Sequence, residues 1–329
     1  MKTRVHVLGT GGTIAGAQPE PGHYGYTAAA YGVDWLLRAV PGLDHLASLS
    51  GEQVVNIGSQ DMDDAVWLAL ARRLTEVLGS TDSDAALITH GTDTLEETSY
   101  FLSLVTPSAK PVVMVGSMRP ATAISADGPA NIYNGVAVAA DPGAAGRGTL
   151  VCLNDEIHCA RHVVKTGTMN PSAFSSMARG LAGVVSAGRV EWFEAPRANG
   201  GTFGRFSVAG LEALPRVDIL HANAGMNTDL IDAAISSGAK GIVVAGVGAG
   251  NMSARAIERL ARAVAEGVAV VRSSRVVSAM VLRNSEVDDD RFGFVAAGDL
   301  NAAKSRVLLA LALTETQDPR RIQEIFQQC

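Results

Sequence analysis

The feature of this chain that most constrains its fold is a series of short apolar runs, each followed closely by glycine or a small polar residue. Such runs are typical of strands that are buried on both faces of a parallel sheet. They occur at Val5–Leu8, Ala86–Ile88, Val112–Val115, Leu150–Leu153, Val217–Leu220, Ile242–Ala245 and Val268–Val271.

Amphipathic stretches lie between several of these predicted strands. The apolar spacing in Asp64–Leu78, Leu95–Leu104 and Ala254–Ala265 fits helices that pack one face against a sheet. Alternation of strands and helices indicates the α/β class. We therefore predict a larger N-terminal domain with a doubly wound, mainly parallel sheet and a smaller C-terminal parallel α/β domain.

The boundary between the two predicted domains falls at a change in composition. The 329 residues leave room for about two domains of ~150 residues each. In residues 194–213, one proline and several glycines interrupt any periodic pattern. We interpret this segment as a linker between a catalytic domain at 1–193 and a second α/β domain at 214–329.

The composition argues against several classes of partner. The formal net charge is −6, and the lysines and arginines are scattered along the chain, which disfavours nucleic acid and membrane surfaces as partners. No run of about 18 apolar residues is present, so a membrane-spanning helix is not expected. As numbered, the chain shows no signal peptide, which indicates a cytoplasmic protein, or a periplasmic one whose leader was removed.

The stretch Ile88–Thr98 (ITHGTDTLEET) has the densest concentration of reactive groups. It follows the predicted strand Ala86–Ile88 and precedes the predicted helix Leu95–Leu104. Thr92, Asp93 and Thr94 are residue types that begin helices, and a strand-to-helix turn exposes their side chains together with free backbone N–H groups. The pattern indicates a catalytic site.

The first strand runs into a second such turn, Gly9–Gly16 (GTGGTIAG). It lacks the third glycine of a dinucleotide fingerprint and the Gly-Lys-Ser/Thr of a phosphate-binding loop, so a tight turn that presents the Thr13 hydroxyl remains. The segment Ala17–Gly25 that follows is rich in proline and glycine. We interpret it either as a lid over bound substrate or as a disordered loop.

Two further places carry candidate side chains. Ser59 and Gln60 follow a predicted strand, where either they bind a small zwitterion or Ser59 serves as an ordinary helix N-cap. Lys165 supplies an amine that accepts a threonine proton when it is neutral. The nearby His158, Cys159 and His162 cannot all face one point, so we predict no metal site.

Two motifs together resemble the signatures of the bacterial L-asparaginase family: Thr10–Gly16 (TGGTIAG) and His90–Thr98 (HGTDTLEET). Further runs are similar to those of its type II enzymes, and together they span nearly the whole chain. These runs are Gly51–Met62, Lys110–Arg119, Ser125–Pro129, Arg272–Arg275 and Glu286–Asp289.

The resemblance implies hydrolysis of L-asparagine to L-aspartate and ammonia without a cofactor. It implies that Thr13 is the nucleophile, supported by Tyr26, and that Thr92, Asp93 and Lys165 form a second group that carries protons. Backbone N–H groups around Thr92 would bind the oxyanion. A covalent aspartyl intermediate on Thr13 and direct attack by water both remain open, and we favour the covalent route.

The resemblance also assigns substrate contacts and an assembly. Ser59, Gln60 and Asp93 would hold the α-carboxylate and α-amino groups of the substrate. Asn251 and Glu286 would reach the site of a neighbouring subunit, which implies a homotetramer built from two intimate dimers. Gln60 and Asn251 resemble the asparagine-preferring members, and lesser activity on L-glutamine is expected because one methylene is worth only ~1–3 kcal/mol of discrimination.

Two departures from the family pattern concern the Asn251–Glu286 region. Ala249 stands where the family often has asparagine, and Val277–Ala279 replaces a usual Pro-Thr-Gly turn, which bears on the position of Glu286. The alternative to an enzyme is a non-catalytic sensor of amino acids on the same scaffold.

Overall fold

The computed structural model describes residues 2–20, 23, 25–195 and 203–329. The chain forms two compact units, Met1–Glu212 and Ala213–Cys329. Residues 196–202 of the predicted linker lie outside the described residues, and residues 203–212 group with the first unit.

The first unit contains ten strands and five α-helices among the residues that are described. In chain order they are β1 (Arg4–Gly11), α1 (Val33–Arg38), α2 (Leu43–Leu46), β2 (Ser48–Ile57), α3 (Asp64–Gly79), β3 (Ala85–Thr89), α4 (Leu95–Val105), β4 (Val112–Val115), α5 (Gly128–Ala140), β5 (Thr149–Leu153), β6 (Glu156–Cys159), β7 (Val164–Lys165), β8 (Phe174–Ser175), β9 (Gly183–Ser186) and β10 (Arg189–Trp192).

Eight of these strands form one sheet in the order β10-β9-β6-β5-β4-β3-β1-β2. The five strands from β2 to β5 along this order are parallel, and β6, β9 and β10 are antiparallel. The predicted mainly parallel sheet is therefore confirmed. Strands β7 and β8 pair with each other in a separate two-stranded sheet.

The central strands are buried on both faces. Val7 and Leu87 lie in one core cluster with Val136 of α5, and the alternating residues Leu8 and Ile88 are buried as well. Successive side chains of a strand point to opposite faces, so both faces are covered. This double burial is what produces the continuous apolar runs in the sequence.

Helix α3 shows how the sequence specifies the helices that cover the sheet. Asp63 caps it by accepting a hydrogen bond from the Val66 backbone N–H at 2.9 Å. Trp67, Leu70 and Leu74 recur at helical spacing and are buried. The amphipathic prediction for residues 64–78 is confirmed to within one residue.

The second unit holds a four-stranded parallel sheet in the order β11-β12-β13-β14. Its core contains Ile231, Val244, Leu260 and Phe294, which are fully buried. Its described elements are β11 (Val217–His221), α6 (Asp229–Ser236), β12 (Gly241–Gly246), α7 (Ala254–Ala265), β13 (Ala269–Ser274), α8 (Asp289–Phe292), β14 (Phe294–Ala296), α9 (Ala302–Ala312) and α10 (Pro319–Gln328).

None of the helices in the described ranges is both long and apolar enough to cross a membrane.

Candidate active site

The carboxyl ends of β1, β2 and β3 meet through close contacts between backbones. Gly12 has φ 81° and ψ −171°, a conformation that glycine alone adopts readily, and a Cβ on it would lie 2.3 Å from the Cα of Gly91. A Cβ on Gly11 would lie 2.5 Å from the carbonyl oxygen of Ile57. The glycines of the two turns therefore allow the three strand ends to converge.

Thr13 is the first residue of a short 3₁₀ turn, Thr13–Ala15, that follows β1 directly. Its side chain is nearly buried, and its Oγ1 lies 2.8 Å from the hydroxyl of Tyr26. Tyr26 is itself half exposed. The structure therefore brings together the predicted nucleophile and its predicted supporting residue in one hydrogen bond, in which either hydroxyl can donate.

In the sequence, the predicted lid, residues 17–25, lies between Thr13 and Tyr26. Its flanks are fastened, because Ala17 and Thr27 exchange two backbone hydrogen bonds of 2.9 Å each. Residues 21, 22 and 24 of the predicted lid lie outside the described residues.

The Lys165 ammonium binds two neighbouring residues of the turn after β3. Its Nζ donates to Thr92 Oγ1 at 2.9 Å and to Asp93 Oδ1 at 2.6 Å. Thr92 is buried, whereas 62% of the Asp93 side chain is exposed. The predicted Thr-Asp-Lys group is therefore assembled, with one carboxylate face open to solvent.

Lys165 also has a backbone contact that the sequence motifs do not predict. Its backbone N–H donates to Glu96 Oε2 at 2.5 Å, and Glu96 is a buried residue in the first turn of α4. In the sequence, Glu96 is one of two adjacent glutamates of the motif, and no pattern distinguishes the buried one.

Ser59 joins the second strand end to the turn after β3. The Ser59 hydroxyl accepts a hydrogen bond from the Asp93 backbone N–H at 3.1 Å, and Thr94 Oγ1 donates to the Ser59 carbonyl at 2.8 Å. Ser59 is the first residue of a 3₁₀ turn, Ser59–Asp61, whose N-cap is Gly58, and the N-cap of α3 is Asp63, so the prediction of Ser59 as a helix N-cap is wrong. Gln60 is exposed beside it.

Thr94 occupies the capping position of α4, yet its side chain makes no capping hydrogen bond. Its hydroxyl is committed to Ser59, as above. Among the described residues, the backbone N–H of Thr92 has no protein acceptor, which fits the expected role of this turn as a donor to a bound oxyanion.

His90 lies immediately before the Gly91–Thr92 turn and is fully buried. Burial lowers the pKa of His90 to about 4, so the ring is neutral at pH 7. Its Nδ1 lies 2.7 Å from the Gly91 carbonyl oxygen, which the neutral ring satisfies by donating its Nδ1 proton. His90 therefore shapes the turn and contributes no positive charge.

In the second unit, Asn251 and Glu286 lie together. The Asn251 side-chain amide donates to Glu286 Oε2, and the Val247–Asn251 loop is closed by two backbone hydrogen bonds of 2.8 Å between its ends. The replaced segment Val277–Ala279 lies in irregular structure before Glu286. Glu286 thus keeps a direct partner in this chain despite the lost Pro-Thr-Gly turn.

A fully buried ion pair holds the two loops that carry these residues. Arg272 binds Asp289 through both its Nε, at 2.5 Å, and its Nη2, at 2.7 Å. Its remaining N–H groups reach the carbonyl oxygens of Gly250 at 3.2 Å and Leu282 at 3.3 Å. The backbone next to Asn251 and the backbone a few residues before Glu286 therefore share one guanidinium.

Within the described ranges, no group of three or more His, Cys, Asp and Glu residues is arranged to hold a metal ion. In the described part of the chain, no disulfide bond joins Cys152, Cys159 or Cys329.

Comparisons with known proteins cover nearly the whole chain. The family model "Asparaginase, N-terminal" matches residues 4–198, and the model "Glutaminase/Asparaginase C-terminal domain" matches residues 216–326. The curated relatives include the "Probable L-asparaginase periplasmic" of Haemophilus influenzae, which is 46% identical over 98% of this chain and 92% of its own length.

Two further proteins extend this comparison. The "Glutaminase-asparaginase" of Pseudomonas fluorescens is 42% identical over 98% of this chain and 89% of its own length. The crystal structure of the probable cytoplasmic L-asparaginase from Campylobacter jejuni is 44% identical, superposes with a TM-score of 0.94 and covers 100% of both chains. The names of these proteins include both a periplasmic and a cytoplasmic location.

Proposed function

The chain belongs to the asparaginase family, and from this premise we propose that it hydrolyses the side-chain amide of L-asparagine to L-aspartate and ammonia. The observation that carries the proposal is the contact of the Lys165 ammonium with both Thr92 and Asp93. The Lys165 amine thereby lies on the Thr92 hydroxyl. Thr92 follows Gly91, and the Gly91 backbone contacts Gly12, the residue before Thr13.

The substrate is held through its zwitterionic end. The exposed carboxylate of Asp93 attracts the α-ammonium group, and Ser59 and Gln60 bind the α-carboxylate and α-amino groups at the end of β2. The Asp93 N–H bond to Ser59 fixes the separation of these two contacts. With its zwitterionic end bound there, the side-chain amide of the substrate extends toward Thr13.

The first chemical step is attack of Thr13 Oγ1 on the amide carbon, which forms a C–O bond. Tyr26 lies within hydrogen-bonding distance of that oxygen and relays its proton: the tyrosine oxygen accepts the Thr13 proton while the tyrosine's own hydroxyl proton passes to the amide nitrogen. The negative charge moves to the amide oxygen, where the Thr92 backbone N–H stabilises it. The negative charge then collapses back to a carbonyl, the C–N bond breaks, and the nitrogen leaves as ammonia with the relayed proton as its third hydrogen.

The second step releases the product. Water attacks the aspartyl ester on Thr13, gives its proton to the Thr92–Lys165–Asp93 group and forms L-aspartate, and the proton returns to the Thr13 oxygen as the ester breaks. Asp93 holds the Lys165 amine beside Thr92, so that the hydroxyl of Thr92 has an adjacent proton acceptor whenever that amine is neutral.

The proposed assembly is a homotetramer made of two intimate dimers. In it, Asn251 and Glu286 of a neighbouring copy contact the α-amino group of the substrate, and their mutual hydrogen bond presents amide and carboxylate together. Sedimentation of the protein at micromolar concentration measures this directly. A stable monomer with full activity would rule the assembly out.

Lesser activity on L-glutamine accompanies the main reaction. The glutamine side chain is one methylene longer, and a methylene changes transition-state binding by only ~1–3 kcal/mol, or about 10- to 200-fold. The test is steady-state ammonia release with each amino acid under identical conditions. We expect a higher kcat/KM for L-asparagine, and a preference for L-glutamine would contradict the proposal.

A further inference from the structure

Lys165 lies on a strand that has little support of its own. Strand β7 is two residues long and, among the described strands, pairs with β8 alone, outside the eight-stranded sheet. The lysine side chain also has four flexible methylenes, whose immobilisation costs rotamer entropy. Contacts elsewhere in the first unit must therefore fix where this amine sits.

The residue that meets the backbone of Lys165 is Glu96. One of its carboxylate oxygens accepts the Lys165 backbone N–H at 2.5 Å, and only 8% of the residue is exposed. A buried carboxylate is costly unless it is hydrogen-bonded, and the N-terminal turn of a helix favours a negative charge. Both conditions hold for Glu96 in the first turn of α4.

Residues 92–96 thus bind both the side-chain ammonium and the backbone N–H of Lys165. Thr92 and Asp93 hold its ammonium, and Glu96, one helical turn further on, holds its backbone. Two attachment points fix the path of the side chain between them, whereas the ammonium contacts alone leave the strand free to shift.

We propose that Glu96 is a positioning residue for Lys165: its side-chain oxygen anchors the Lys165 backbone so that the amine reaches Thr92. The proposal deepens the proposed function and rests on it wherever activity is the readout. Glu96 acts through the position of its oxygen acceptor, and its negative charge is not what the reaction requires. Misplacement of a reacting group by about 1 Å costs up to ~10²-fold in rate.

Two conservative substitutions separate position from charge. Glu96→Gln removes the charge and keeps an oxygen acceptor at the same reach, so kcat is expected to stay within about threefold of the unaltered protein. Glu96→Asp keeps the charge and withdraws the acceptor by one methylene. Its kcat is expected to fall by roughly 10- to 100-fold while KM changes little, because Lys165 acts in the chemical step.

The neighbouring Glu97 provides the matched control. It lies in the same first turn of α4 and is only partly buried. Glu97→Asp makes the identical chemical change one residue along the helix, and its kcat is expected to stay within about threefold of the unaltered protein.

Hydrogen exchange of the Lys165 backbone amide gives a readout that needs no activity. In the full-length protein, Glu96→Asp is expected to speed this exchange, whereas Glu96→Gln and Glu97→Asp leave it near the unaltered rate. If the unaltered protein releases no ammonia, the proposed function fails, and the exchange measurement still decides the role of Glu96.

A slow Glu96→Asp variant with fast amide exchange, beside a near-normal Glu96→Gln variant, supports the proposal. The reverse order of the two variants would assign the effect to charge and overturn it. Equal kinetics for both variants, or an unchanged exchange rate of the Lys165 amide in Glu96→Asp, would overturn it as well.

Discussion

The backbones of Gly12 and Gly91 are in contact: a Cβ on Gly12 would lie 2.3 Å from both the Cα and the N of Gly91. Thr13 and Thr92 follow these two glycines directly. The spacing between the two hydroxyl-bearing turns of the proposed site is therefore set by the absence of two side chains.

Gly12→Ala is expected to destabilise the protein by more than about 4 kcal/mol, since it combines a backbone clash with a conformation that alanine resists. Gly146→Ala is the matched control. Gly146 also has a positive φ, of 73°, but a Cβ there meets nothing within 4 Å, so we expect a loss of only ~1–2 kcal/mol. Urea unfolding compares the two, and equal losses would show that the contact with Gly91 is unimportant.

Tyr26→Phe removes the hydroxyl that lies 2.8 Å from Thr13 Oγ1. We expect kcat for L-asparagine to fall on the order of 10²-fold, because the nucleophile loses its proton partner. Tyr31→Phe is the control, as the Tyr31 ring stacks on Trp35 with centroids 3.9 Å apart and serves packing. Similar rates for the two variants in a steady-state ammonia assay would remove Tyr26 from the mechanism.

The buried His90 makes stability depend on pH. The pKa of His90 is about 4 in the folded state and near 6.5 when unfolded, so between these values the unfolded chain binds the extra proton. Stability is therefore lost as pH falls through this window, by roughly 2 to 3 kcal/mol between pH 7 and pH 4.

Replacement of His90 by glutamine isolates that contribution. Carboxylates titrate in the same window in both proteins, and the difference between their pH profiles removes this shared part. We expect His90→Gln to lose less free energy of unfolding than the unaltered protein between pH 7 and pH 4, measured by urea unfolding. Parallel profiles would show that His90 is not buried as a neutral ring.

Removing one partner of the buried Arg272–Asp289 pair leaves the other charge unpaired. Arg272→Met and Asp289→Leu are each expected to cost ~3–5 kcal/mol. The double variant is expected to lose less than the sum of the two, because no unpaired charge is then left in the core. Unfolding of the full-length single and double variants measures this, and additive losses would mean that the two residues do not act as a pair.

The central elements of the fold were predictable from the sequence because buried strands have continuous apolar runs and the helices that cover them have apolar residues at helical spacing. Helix α7 begins and ends at the predicted residues, Ala254 and Ala265, and β12 contains its predicted run. Strand β2 was foreseen only at its carboxyl end. It lies at the edge of the sheet with many partly exposed residues, so it lacks the continuous apolar run of a central strand.

The sequence predicted the residues that form the proposed site, but it did not predict the residue that holds Lys165 in place. Thr13, Thr92, Asp93 and Lys165 stand in motifs, and the structure brings Lys165 to the other turn across more than 70 residues of chain. The support from Glu96 could not be read from the sequence, because nothing local distinguishes it from Glu97. Only the fold shows which of the two carboxylates is buried against β7.

The central claim is that Thr13 attacks the amide of L-asparagine, and ammonia release by the unaltered protein and by Thr13→Ala tests it most directly. The account predicts saturable release by the unaltered protein and a loss of kcat of ~10³-fold or more in Thr13→Ala, with L-aspartate binding retained. Release of ammonia by Thr13→Ala at the rate of the unaltered protein would contradict it, as would an unaltered protein that binds L-asparagine and releases none.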